Sequence, residues 1–247
     1  MGEKLASPPI VEALCEFRFV PSDAWDWTIP GLLYEKIKGE FPERSQFKGL
    51  GVQIYLGPNS PPAADMRTGP ERVQLKRSDG SAMVQIGENL LAINHLRPYP
   101  NWGNFREIIL KNLQNYREVT EEVPLKRIGL RYINQIKVPQ GEFETSDFIT
   151  LEPPLSGSLD RPLSSFYQRY ELVQDSPPGV LIHQTGIQRT EEQTVIMLDL
   201  DFGSEDVEHV TNAEEVKNWL NSTHTRVLEA FVASLNPDFY DRMKRGV

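Results

Sequence analysis

The chain has 247 residues and a mass of 28.2 kDa, enough for one large domain or two small ones, and its 39% hydrophobic and 25% charged content is that of a globular protein with a sizeable core. Against 26 Lys and Arg stand 35 Asp and Glu, a formal charge of -9, which excludes coating nucleic acid or an anionic membrane by bulk charge. The single cysteine, Cys15, excludes an internal disulfide and a thiolate metal site; no apolar run nears the roughly 20 residues of a membrane helix, and residues 1–9 hold no apolar signal core, so a cytoplasmic protein with no membrane partner is expected.

Pro8 and Pro9 favour an extended entry to the chain. Residues 10–19 then alternate: Val11, Ala13, Cys15, Phe17 and Phe19 are apolar on one parity, Glu12, Glu16 and Arg18 charged on the other, the period of a strand with one buried face. Leu33, Ile37 and Phe41, with Leu32 beside them, predict an amphipathic helix over 29–41 that Pro42 ends. Residues 49–57 alternate again through Leu50, Val52, Ile54 and Leu56. The prolines of 58–70 predict a loop, 72–77 a strand with Val73 and Leu75 inward, and Ser78-Asp-Gly-Ser81 a hairpin turn. Residues 83–86 and 90–96 continue the strand pattern, with Gly87-Glu-Asn89 as a bulge or bend between them. From Asn101 onward, Trp102, Phe105, Ile109 and Tyr116 form one helical stripe, widened by Ile108 and Leu113.

The second half opens with a long alternating strand over 125–138, with Ile128, Leu130, Tyr132, Ile136 and Val138 on one parity and Arg127, Arg131, Gln135 and Lys137 on the other. A short helical turn around 147–151 and three strands over 163–173, 179–188 and 194–202 follow. Asn212 with Glu215 has capping-box spacing, and Val216, Leu220, Val227, Phe231 and Leu235 mark a long amphipathic helix interrupted at Asn236-Pro237. The element order over 1–122 therefore matches that over 123–247. The expectation is one α+β unit of two similar β-α-β-β-β-α halves, with a long antiparallel sheet and three main helices packed on one face.

The segment Pro8-Pro-Ile-Val-Glu-Ala-Leu-Cys-Glu-Phe-Arg-Phe19 resembles the N-terminal signature of a sporadically distributed family of prokaryotic proteins, and Arg127-Ile-Gly-Leu-Arg-Tyr-Ile-Asn134 is similar to its central signature. Leu198-Asp-Leu-Asp-Phe202, and His224 followed by Phe231, are similar to its weaker C-terminal features. The resemblance spans nearly the whole chain and implies a single unit. No activity comes with it; its sporadic occurrence implies a mobile system such as a toxin–antitoxin or defence module.

Two strands carry the most informative charges. If 10–19 and 125–138 are neighbours, Glu16 can pair with Arg131 and Glu12 with Arg127, either as structural ion pairs that fix register or as a surface that grips a ligand or partner together with Arg18. On the polar parity of all the strands, Arg18, Arg72, Lys76, Arg127, Arg131, Lys137 and Arg169 outnumber Glu12, Glu16, Glu171, Asp199 and Asp201, the reverse of the whole-chain balance. Tyr55 and Tyr167 on that parity could stack bases, so nucleic-acid binding on the sheet face is an alternative that net charge disfavours. A second alternative, metal-dependent phosphoester hydrolysis, needs Asp199, Asp201 and Glu171 to share a cation. His95, His183, His209 and His224 have no ligand spacing, and no phosphate loop, dinucleotide fingerprint or nucleophile elbow occurs, so no cofactor is expected. Cys15 lies on the core parity, and His224 flanks the apolar stripe of the last helix as a boundary residue, with Thr223 nearer its centre. Trp102 and Trp219 are expected to pack helices on the sheet, while Trp25 and Trp27 do the same or form an exposed lip. The reading is a non-enzymatic binding protein whose partner is a protein, with the oligomeric state open.

Overall fold

A computed structural model describes residues 5, 8–22, 25–55, 63–120, 123–138, 144–150, 165–189, 194–205, 207 and 209–246, with backbone alone at 48–55, 63–70 and 188–189. In chain order the elements are β1 (Ile10–Phe19), α1 (Ile29–Ile37), β2 (Glu43–Tyr55), β3 (Ala63–Lys76), β4 (Ala82–Gly87), β5 (Leu90–Leu96), α2 (Trp102–Thr120), β6 (Leu125–Val138), a 3-10 turn (Thr145–Asp147), β7 (Ser165–Asp175), β8 (Pro178–Arg189), β9 (Thr194–Ser204), α3 (Ala213–Ser234) and α4 (Pro237–Arg245). The strands form one antiparallel sheet in the order β2-β3-β4-β5-β1-β6-β9-β8-β7. The α+β class holds. There are four helices among the described residues rather than three main ones, because Asn236 restarts the chain as a cap, its side chain accepting from Asp238 N and Phe239 N.

The alternating parity of β1 is the organising feature. Ala13, Cys15, Phe17 and Phe19 are buried and belong to the core that α1, α2 and α3 complete with Leu33, Ile37, Phe105, Ile109, Val216, Leu220 and Val227. Burying each such large side chain contributes about 1.5–3 kcal/mol. α2 and α3 meet through Trp102, whose Nε1 donates to Asn221 Oδ1 at 3.3 Å and whose ring stacks on His224 at 4.2 Å. Trp219 packs on Phe202 and donates to Ser204 Oγ at 2.9 Å. Trp25 lies half-buried against the core with Trp27 edge-on at 5.1 Å and exposed. Leu32, placed beside the α1 stripe by spacing, is instead half-exposed.

Two further expectations are corrected. Residues 63–70 are strand, not loop: β3 runs through Pro70, and the ladder with β2 shifts register between Lys48 and Leu50, where an irregular pairing tolerates a residue with no N–H. Gly87-Glu-Asn89 is not a bulge within one strand but the tight connection between β4 and β5, with Gly87 paired to Leu90 and Asn89 at φ 53. At the β7 edge, Tyr167, Tyr170, Leu172 and Val173 are exposed. Residues 151–164, part of the expected helical turn included, lie outside the described residues, as does the side chain of Tyr55.

Candidate functional site

The second face of the sheet carries the other parity. β1 and β6 are adjacent and antiparallel, so Glu12, Glu16, Arg18, Arg127 and Arg131 share that face. Neither of the expected pairings, Glu16 with Arg131 and Glu12 with Arg127, forms. Glu16 stands opposite Gly129, midway between the two arginines, and it is Arg127 that reaches it, Nη1 donating to Oε1 at 3.3 Å. Arg131 turns the other way, to β9, and binds Asp199 with both ends of its fork at 2.8 and 2.5 Å. Glu12 accepts instead from Asn94 Nδ2 on β5. Period two fixes the face but leaves each long side chain a choice of diagonal neighbours, and the neighbour across β6 was not legible in one sequence.

Arg127 lies flat because two glycines make room for it. A Cβ on Gly129 would come within 2.9 Å of its Nη1, and one on Gly203 within 2.5 Å of its Nη2. At Gly87 the crowding is with backbone: a Cβ there would stand 3.1 Å from the Glu71 carbonyl oxygen and in ordinary contact, 3.4 Å, with Arg72 Cγ. Arg72 rises from β3, three positions from β1 in the sheet, roughly 14 Å on a flat surface at strand spacing. Its Nη2 is nonetheless 3.9 Å from Glu16 Oε2, the two long side chains reaching toward each other across the intervening strands. Arg18 completes the convergence, Nε donating to Glu16 Oε1 at 2.7 Å. Three guanidiniums thus meet one carboxylate that is only 14% exposed. Beside them is a cavity of about 460 Å³ lined by Arg18, Arg72, Gly87, Arg127, Lys126 and, on the acidic side, Glu88 and Glu205. Sequence reasoning counted Arg72 among the face charges but not in this cluster; the in-strand glycines were the available signal.

Toward β7 the same face changes character. Gln184 Nε2 donates to Asp199 at 3.0 Å, Tyr167 donates to Gln184, and Arg169 pairs with Glu171 at 2.6 Å. A groove of about 380 Å³ is bordered there by Arg131, Asp199, Ile133, Phe166, Tyr167 and Met197. Asp201, between Arg127 and Arg131, has its carboxyl raised above the usual range by burial, against the pull of both arginines. Glu171 is separated from Asp201 by the intervening Ile182 of β8 and is held by Arg169. Among the described residues no group of three or more His, Cys, Asp or Glu comes together as a metal site.

On the helix side, Cys15 is fully buried and its thiol is pushed well up by burial. His224, held between Trp102 and Tyr132, is lowered to about 4, first by burial and then by Arg106. It borders a cavity of about 90 Å³ that the hydroxyls of Tyr99 and Tyr132, 3.1 Å apart, also approach. No family model and no curated protein matches the chain.

Proposed function

We propose that the chain is a non-enzymatic binding protein that holds a partner protein on the second face of its sheet, around Arg131, Tyr167 and Met197. The observation that carries this is the groove in which an exposed tyrosine and an exposed methionine flank a fork-bound arginine. Tyr, Met and Arg are the residue types enriched in interface centres, and a pre-fixed guanidinium loses little freedom on docking. The toxin–antitoxin or defence setting rests on the sporadic occurrence of the family that the chain resembles and on no residue of the chain. The strand order supports a related reading, two similar halves joined at β1 and β6, each continuing outward with its own last strand, β5 on one side and β9 on the other.

The test is co-purification from the native host with a tagged chain. Tyr167→Ala removes the exposed ring, which is linked to the Arg131–Asp199 pair through Gln184 and makes no direct bond to it, and Arg131→Met removes the pair. A partner held by the wild type and weakened at least about tenfold by Tyr167→Ala, with the melting temperature unchanged, is the expected result. A partner retained by both variants overturns the use of this face. A single-stranded oligonucleotide bound in place of a protein overturns the partner class.

A further inference from the structure

We propose that the pocket formed by Arg18, Arg72, Arg127 and Lys126 binds a phosphate-bearing small ligand. It lies at the other end of the sheet face from the partner groove, and the proposal does not depend on that groove.

Three observations point the same way. First, Glu16 takes one nitrogen from each of three guanidiniums, at 2.7, 3.3 and 3.9 Å. Each fork has five N–H donors, and among the described residues Glu16 engages one nitrogen of each, so the carboxylate serves to hold the forks in place. Second, Arg127 lies on a floor from which side chains are missing, Gly129 and Gly203. A residue that only balanced Glu16 from solvent would need no such floor; one held flat on the sheet is fixed before a ligand arrives, which lowers the entropy lost on binding. Third, the cavity of about 460 Å³ beside them is of small-molecule size, and it gathers cations on a chain whose formal charge is -9.

Phosphate fits this set better than a carboxylate does. A phosphate monoester offers three acceptor oxygens against a carboxylate's two, and up to two negative charges against one, so it engages more of the forks at once. Glu16 inside the cluster and Glu88 and Glu205 on the lining oppose an anion, so the pocket selects for multiple charge: a dianion or a diphosphate gains more from four cations than a monoanion.

Isothermal titration with inorganic pyrophosphate, at about 50 mM salt to limit screening, tests the pocket directly. Saturable one-site binding is expected. Arg72→Met should weaken it at least about tenfold and Lys126→Met, at an exposed position, several-fold; Gly203→Ala, which keeps every cation but displaces the Arg127 guanidinium, should also weaken it. Glu205→Gln should tighten it, a surface change that is informative even where an arginine variant fails to fold. Absence of pyrophosphate binding overturns the proposal, and so does binding insensitive to both Lys126→Met and Glu205→Gln. A phosphoserine peptide that binds where pyrophosphate does not assigns the phosphate to a protein partner and overturns the small-ligand claim.

Discussion

Gly129 and Gly203 matter for what they leave out. Each sits in a strand, where a glycine sacrifices packing, and both lie beneath the Arg127 guanidinium, which would otherwise stand off the sheet. Parity showed which face carried Arg127 and Arg131, but the carboxylate each one reaches is set by that missing bulk and by the neighbour strand. His224 is the counterpart on the helix side. The spacing placed it beside the stripe, and the structure adds the Trp102 ring that excludes water from it. Because its folded value is lowered from 6.5 to about 4, the unfolded chain takes up the proton first, so stability is complete above pH ~6.5 and is lost as pH falls toward about 4. The loss from this group is about 3 kcal/mol at most. His95 and His183, lowered by burial as well, act in the same direction. Urea titrations from pH 7 to 4 should show this decline, and His224→Phe should flatten it.

At the level of elements, local chemistry was legible wherever a cap or alternation acted alone. Asn212 accepts from Glu214 N and Glu215 N at 3.0 Å, and the Glu215 side chain returns to Asn212 N at 3.1 Å, the capping box that the spacing predicted. Asn212→Ala should therefore cost about 1 kcal/mol, read as a shift in the denaturation midpoint with an unchanged slope. β1 and β6 were read with their bounds because each has one wet and one dry face. The β2–β3 region was not, since a proline signals a turn locally while Pro70 sits within β3, opposite the register shift between Lys48 and Leu50. Gly87-Glu-Asn89 failed for a similar reason: two strands that continue one parity look like one strand until the chain is seen to reverse.

For the whole molecule the decisive fact is strand order, which no periodicity encodes. β1, the first strand made, lies near the middle of the sheet, between β5 and β6. A chain cut after Thr120 keeps β1 paired to β5 along one side and leaves the other side, normally closed by β6, without its neighbour. Such a fragment should self-associate in sedimentation velocity at concentrations where the full chain gives a single species. The consequence reaches into synthesis. During translation, more than a hundred residues emerge between the birth of this strand and the arrival of the segment that shields it. At roughly 5–20 residues per second the ribosome leaves that hydrogen-bonding rim open for several seconds, an interval in which a nascent-chain chaperone has an extended backbone to guard.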